Sequence, residues 1–172
     1  MRGRNSQEIA PAPVRYSSRQ IALHWTVFVL VAFQFVMGDD MTHLFRAAHG
    51  GRPTDASAIW APIHIAVGTL ILIAMLARLS LRRLDGVPKP PKQATLLQWL
   101  ASAVHAGLYV DLIGAPIVGA IAYFLLPSFA GLHHLMTRQI LVVLVALHFA
   151  GALWHWLVVR DDVMTRMARP AD

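Results

Sequence analysis

The sequence contains no cysteine and few charged residues, and both shortages narrow the class of protein. Without cysteine the chain has no disulfide framework, no thiolate metal site and no cysteine nucleophile. Charged residues make up 14% and hydrophobic residues 56% of its 172 residues, whereas soluble domains have about 25% and about 45–50%. This composition argues against a disordered chain and against an ordinary soluble enzyme. The N-terminal segment also lacks the short apolar core of a signal peptide.

The hydrophobic excess is concentrated in four long apolar stretches. They run approximately over residues 21–37, 59–79, 96–126 and 135–159. Each reaches or approaches the ~20 residues that a helix needs to cross a ~30 Å hydrocarbon core. Polar connections that contain glycine and proline are expected at 39–57, 84–93 and 127–131. The sequence therefore predicts an all-α fold, an integral membrane four-helix bundle surrounded by membrane lipid.

Lysine and arginine are distributed unequally between the two ends of this bundle. Twelve of the fifteen basic residues lie on the side of the two termini, and the other side has only Arg46, Arg52 and Arg138. By the positive-inside rule, both termini are expected in the cytoplasm. This distribution accounts for the net charge of +6 without a nucleic-acid partner. We expect a cytoplasmic tail over 1–18, the bundle over 19–167 and a short tail over 168–172.

Histidine is unusually frequent for so apolar a chain. Of nine histidines, six lie in or at the edges of the predicted spans: His24, His64, His105, His134, His148 and His155. Polar side chains are costly inside a bilayer and usually face the interior of the bundle. A single membrane histidine is more often a hydrogen-bonding residue between helices than a ligand, but six together favour ligation.

The spacing of two histidines on the last helix predicts two stacked metal centres. On a regular α-helix, His134 and His148 lie within about 40° of one face and about 21 Å apart along the axis. His24 is expected at the depth of His148, and His64 at the depth of His134. Two bis-histidine pairs at two depths are what two b-type haems require. Gly68, one turn past His64, would allow the close backbone approach that haem needs.

Several segments of the chain carry a family resemblance. They are RQIALHW (19–25), IHIAVG (63–68), ARLSLRR (77–83), APIVG (115–119), LH (147–148), WH (154–155) and DDVMTRM (161–167). Together they resemble the bacterial cytochrome b-561 family of small di-haem, quinone-linked membrane proteins, over roughly residues 15–170.

The resemblance implies an oxidoreductase of the bacterial inner membrane with two haem b cofactors. It implies His24 with His148 as iron ligands of the inner haem, and His64 with His134 as those of the outer haem. It also implies electron exchange with ubiquinone near the cytoplasmic face and oxidation of superoxide to oxygen at the outer face.

Three charged residues near the predicted spans have candidate roles. Arg78, inside the cytoplasmic end of the second helix, can pair with a haem propionate or extend to lipid phosphate. Arg138, one turn after His134, is the best candidate for attracting an anion such as superoxide. Asp111 is an acid deep in the third helix, either functional or a neutral carboxylic acid hydrogen-bonded to a neighbouring helix.

Two of the six histidines in the predicted spans remain after the four expected ligands. His155 lies seven residues after His148 and is a candidate for hydrogen bonding a quinone or delivering a proton, or else an interfacial histidine bonded to backbone or water. His105 is a second candidate quinone contact and also an alternative haem ligand.

Two classes of function remain open from the sequence. The first is a redox enzyme, with an electron-transfer subunit for a partner dehydrogenase or hydrogenase as its variant. The second is a histidine-lined transporter for a transition metal or for protons. A transporter needs histidines clustered at one depth to share one ion, and the separation of His134 from His148 argues against it.

Overall fold

The computed structural model of the protein describes residues 15–48, 55–91 and 94–170. Within these ranges all regular structure is helical, and four segments are long and apolar enough to cross a membrane. They are Ser18–Met37, Ile59–Leu84, Thr95–Phe124 and Pro127–Val159. The all-α fold with four membrane helices is confirmed. Residues 1–14 and 171–172 of the expected tails, Arg52 and the side chain of Arg46 lie outside the described part.

The membrane helices are built from the following elements. The first three are α1 (Ser18–Ala48), α2 (Asp55–Leu84) and α3 (Thr95–Phe124). After a 3-10 turn at Pro127–Phe129 come α4 (Ala130–Leu135), a π turn (Met136–Ile140), α5 (Leu141–Trp154), a second π turn (His155–Val159) and α6 (Val163–Arg166). The segment from α4 to the second π turn is one continuous helix, which we name the last membrane helix.

Two of the expected connections are shorter than the sequence indicated. The segment 39–57 was expected to be a connection, but α1 continues to Ala48 and α2 begins at Asp55. Residues 39–48 contain no glycine or proline, so nothing in this stretch terminates a helix before Gly50. The last membrane helix also begins earlier than expected, at Ala130, directly after the turn at Pro127.

The last membrane helix is not a uniform α-helix. The backbone N–H of Leu141 donates to the carbonyl of Met136, and that of Arg160 donates to the carbonyl of His155. Both bonds reach back five residues instead of four, which is the π-helical pattern and gives a turn with one extra residue. The uniform 100° per residue assumed in the spacing argument therefore does not hold between His134 and His148.

The start of α1 is fixed by a capping box and by the chain that follows α2. The Gln20 N–H donates to Ser17 Oγ (3.4 Å), and the Ser17 N–H donates to Gln20 Oε1 (3.1 Å). Gln20 is buried, and its Nε2 donates to the carbonyl of Gly86 at 2.9 Å. Gly86 has a φ of 72° and ends α2 in the left-handed conformation that glycine adopts readily.

Consecutive helices pack against one another: α1 on α2, α2 on α3, and α3 on the last membrane helix. The buried core is apolar, with Val31, Ile71 and Leu112 among its residues. Large apolar side chains such as Phe149 are exposed on the outside, as expected where the surrounding solvent is lipid. We name the end with the start of α1 and with α6 the terminal end, and the end with the Pro127–Phe129 turn the far end.

Candidate functional site

Three histidine rings meet near the terminal end, and we name them the terminal-end cluster: His24 from α1, His105 from α3 and His148 from α5. The ring centres of His24 and His148 are 6.1 Å apart, and those of His105 and His148 are 5.1 Å apart. This arrangement agrees with the expectation that His24 lies at the depth of His148.

The two distances bear on which pair can share a metal ion. Two imidazoles that bind one ion from opposite sides, each through a nitrogen at about 2.0 Å, have ring centres about 6 Å apart. His24 and His148 have this separation, whereas His105 is too close to His148. His105 Nδ1 donates to the carbonyl of Ala101 in its own helix at 2.6 Å and leaves Nε2 available, so it is the ring separation that distinguishes His105 from His24. The geometry therefore fits a bis-histidine centre formed by His24 and His148.

Arg78 places a positive charge beside this cluster. Its half-buried guanidinium donates from Nη1 to the Gln20 carbonyl at 3.3 Å. It is close enough to His24 and His148 to act on both electrostatically. A guanidinium in this position is available to a carboxylate bound near the two rings.

A cavity of about 470 Å³ opens between the helices toward the far end. We name it the far-end cavity. Its lining includes Gln34, His64, Gly68, Gly119, His133, His134, Thr137 and Arg138. Most of the other lining side chains are aliphatic or aromatic. A mostly apolar cavity with a few polar groups is typical of a cofactor or small-molecule site.

The ring that faces His64 across the far-end cavity belongs to His133. The two ring centres are 6.2 Å apart, again the separation of two imidazoles on one ion. His133 Nδ1 donates to the Ala115 carbonyl at 2.9 Å, so in the neutral ring Nε2 is the nitrogen available as a ligand. His134 lines the same cavity but is exposed, and the structure does not bring its ring to His64. The ring opposite His64 is thus that of His133, one residue before the histidine that the spacing placed there.

Glycine makes room for the two facing rings. A Cβ atom on Gly119 would lie 2.8 Å from Cε1 and 3.0 Å from Nδ1 of His133, so only glycine fits without displacing the ring. A Cβ on Gly68 would meet Gln34 Nε2 at 3.6 Å, an ordinary contact distance. Close approach therefore depends on Gly119 more than on Gly68.

Unpartnered polar atoms also mark the far-end cavity. Within the described residues, His64 Nδ1 and Gln34 Oε1 are buried without a hydrogen-bond partner, and both residues line the cavity. Gln34 Nε2 donates to the His64 carbonyl at 3.0 Å. Because buried polar atoms are normally paired, this is typical of a site that a ligand completes. The two facing imidazoles and the close-fitting glycine fit a bis-histidine haem.

A buried acid lies between the two sites without belonging to either. Asp111 is 3% exposed, and its Oδ2 is buried with no partner in the described part of the chain. It is six residues after His105 and four before Ala115, which accepts the His133 hydrogen bond. The neighbouring-helix hydrogen bond considered for a neutral Asp111 is not seen at this oxygen.

His155 forms a pair that sequence reasoning did not anticipate. Its Nδ1 donates to Oδ2 of Asp161 at 2.6 Å, and both side chains are mostly buried. The second π turn and the left-handed residue Arg160 (φ 55°) fold the chain back so that Asp161 reaches the ring. Asp161 Oδ1 accepts the Val163 N–H at 3.1 Å and starts α6. In the sequence, the acidic pair 161–162 before an apolar residue indicates a helix start, but it does not indicate a contact with His155.

The remaining expected site residue, Arg138, lies in the first π turn. It lines the far-end cavity, together with the histidines of α4. Gln34, His133 and Asp161 are the functional candidates that the sequence interpretation missed. Gln34 and His133 have no pattern that separates them from ordinary polar residues on a membrane helix.

Comparisons with known proteins identify the family of the chain. The family model for prokaryotic cytochrome b561 matches residues 15–170. A Cereibacter sphaeroides protein named cytochrome b562 is 28% identical over 155 residues, covering 90% of this chain and 96% of the relative. A Yersinia pestis protein named probable superoxide oxidase CybB is 26% identical over 175 residues, covering 89% and 95%. No solved structure matches the chain significantly.

The match spans nearly all of the described bundle, including every histidine of the two ring pairs. Within the described part, no group of three or more histidine, aspartate or glutamate side chains is arranged to hold one metal ion. The chain belongs to the prokaryotic cytochrome b561 family, and is thus a multi-pass membrane protein of electron transfer with the haem binding that this family implies.

Proposed function

We propose that the protein is a di-haem cytochrome b that takes electrons from a one-electron donor at the far end and delivers them to ubiquinone at the terminal end. The observation that supports two haems is the pair of histidine contacts, 6.1 Å for His24 with His148 and 6.2 Å for His64 with His133. The two contacts lie about 15 residues, or roughly 20 Å, apart along the last membrane helix.

Haem b, when bound, supplies the one-electron redox chemistry of its iron. The chain's own residues bind and orient it. His24, His148 and His64 offer ring nitrogens, and the fourth ligand comes from the adjacent pair His133 and His134. Arg78 is the proposed partner of a propionate at the terminal end, where its positive charge offsets the carboxylate.

Superoxide is the proposed donor and ubiquinone the proposed acceptor. Two superoxide anions release two electrons and become two oxygen molecules, and one ubiquinone takes up those two electrons and two protons. The name of the Yersinia pestis relative, probable superoxide oxidase, supports this donor. The His155–Asp161 pair supports a proton route at the terminal end, because a histidine held by a carboxylate can exchange a proton with a quinone oxygen.

A visible spectrum with haem quantification tests the proposal first. The purified protein is expected to be red, to hold about two haems per chain and to show a reduced b-type band. Rapid mixing with superoxide and a ubiquinone analogue is then expected to reduce the haems and form quinol. A colourless preparation would contradict haem binding. Haems that superoxide does not reduce would contradict the donor and favour a subunit for a partner dehydrogenase or hydrogenase.

Both termini are proposed to face the cytoplasm, on the basis of the twelve basic residues on that side. Reporter fusions at residue 172 and at Gly50 are expected to report opposite compartments, with the C-terminal fusion cytoplasmic. Fusions that report the same compartment would contradict the four-span arrangement, and a reversed pair would contradict the orientation.

Arg138 is expected to raise the rate at which superoxide reaches the far end. It lines the cavity, and a positive charge near the target increases the arrival rate of an anion. The variant Arg138→Gln should lower the rate of haem reduction several-fold at low salt, with unchanged haem content. The effect should shrink at high salt, where charges are screened over less than about 8–10 Å. An equal loss at all salt concentrations would exclude steering.

A further inference from the structure

We propose that His133, and not His134, is the histidine that would hold a haem together with His64 in the far-end cavity, because the first π turn shifts the register of the last membrane helix. The inference rests on the proposed haem at this site. It assigns as ligand a residue that the regular 14-residue spacing does not predict.

The π turn changes which histidine shares a face with His148. A π turn holds one extra residue without advancing the helix further. The 15-residue interval from His133 to His148 therefore turns the chain as 14 residues of α-helix would, to within about 40° of the same face. By the same reasoning, the interval from His134 acts as 13 residues and leaves that side chain about 140° away.

Hydrogen bonding prepares His133 for the ligand role. A ligating histidine almost always donates its second ring N–H to a carbonyl, carboxylate or water, which fixes the tautomer and the ring orientation. The Ala115 carbonyl can only accept, so His133 Nδ1 carries the proton and Nε2 has a free lone pair. His134 is exposed, and the structure gives it no equivalent bond to α3.

The neighbouring helix is shaped to fit the ring of His133. Gly119 lies one turn after Ala115 on α3, and a Cβ there would come within 2.8 Å of the ring. The same ring centre is 6.2 Å from that of His64, the separation expected for two imidazoles on one iron. The distance between the ring centres, the position of the ring proton and the space beside Gly119 thus all favour His133.

Matched alanine variants of the two adjacent histidines test the assignment in the intact, detergent-purified protein. We expect His133→Ala to lose the far-end haem, so that haem content falls from about two to about one per chain. The remaining haem should keep its low-spin spectrum, which shows that the bundle has folded. We expect His134→Ala to retain both haems with unchanged low-spin spectra.

The opposite result would overturn the assignment: both haems retained in His133→Ala, or the far-end haem lost in His134→Ala. A different result would contradict the proposed function itself: an unmutated protein that does not hold two haems. These measurements need haem content and spectra only, so they do not depend on the identity of the electron donor.

Deletion of Gln139 provides a second, independent variant. Gln139 is an exposed residue of the π turn, and its removal allows a regular α-helix there. The interval from His133 to His148 is then 14 residues of regular α-helix. His133 therefore stays in register, and both haems should be retained. A His134 ligand would need a regular 14-residue interval to His148; the deletion would shorten that interval to 13 residues and rotate His134 by about 100°, and loss of the far-end haem would contradict the proposal.

Discussion

Replacement of His148 by alanine is expected to remove the haem of the terminal-end cluster and leave the far-end haem bound. The rings of His24 and His105 both approach His148, at 6.1 Å and 5.1 Å, so this variant removes the imidazole that both candidate pairs share. Haem content should fall from about two to about one per chain. Reduction of the remaining haem by an outer donor should persist, whereas quinone reduction should be almost abolished.

The neighbouring variant Phe149→Ala is a suitable control. Phe149 is 61% exposed, so its truncation should leave haem content and spectra unchanged. A third variant, His105→Ala, separates the two candidate partners of His148. If His105→Ala loses the haem while His24→Ala keeps it, the pairing of His24 with His148 is wrong and His105 is the ligand.

Replacement of His155 by alanine is expected to slow the reoxidation of the haems by ubiquinone while both haems stay bound. The ring is held by Asp161 at 2.6 Å, so its orientation is fixed and Nε2 is free to exchange a proton with a quinone oxygen. Because a positioned acid or base typically contributes about 10²–10⁴-fold, we expect the rate to fall by about 10²-fold. The rate of haem reduction from the far end should not change.

Asp161 and Asp162 offer a matched pair of variants for the same experiment. Asp161→Asn keeps the shape but weakens the bond that orients His155, and it should lower the quinone rate by about tenfold, as loss of an orienting partner often does. Asp162 faces away to Arg166, whose hydrogen bond holds the pKa of that carboxyl below its usual range. Asp162→Asn should therefore leave the rate unchanged. If the quinone rate of all three variants equals that of the unmutated protein, His155 has only a structural role.

The membrane helices could be predicted from the sequence because their signal is local. A stretch of about 20 apolar residues has few alternatives to a membrane helix, and the structure has helices at all four predicted places. The helix ends were harder to predict. The segment 39–48 is polar enough to lie outside the bilayer, yet it remains helical because it contains no glycine or proline.

The terminal-end histidines were predictable for a related reason. His24 and His148 lie on segments whose depth follows from helix length, so counting residues along each helix brings them to one level. The ring that faces His64 was not predictable in this way, because residues 136–140 form a π turn and the helical repeat between His134 and His148 is uneven. A π turn depends on how side chains pack between helices, and hydrophobic periodicity in the sequence does not record it.

Composition and spacing by themselves determined that this chain crosses a membrane four times and carries histidines at two depths. These properties depend on hydrophobicity and on residue count along each helix, which neighbouring helices do not change. Only the tertiary structure decided which histidine faces His64, because that choice depends on the π turn, on the Ala115 carbonyl and on the space beside Gly119. The same holds for Asp161, which reaches His155 only because the chain reverses at Arg160.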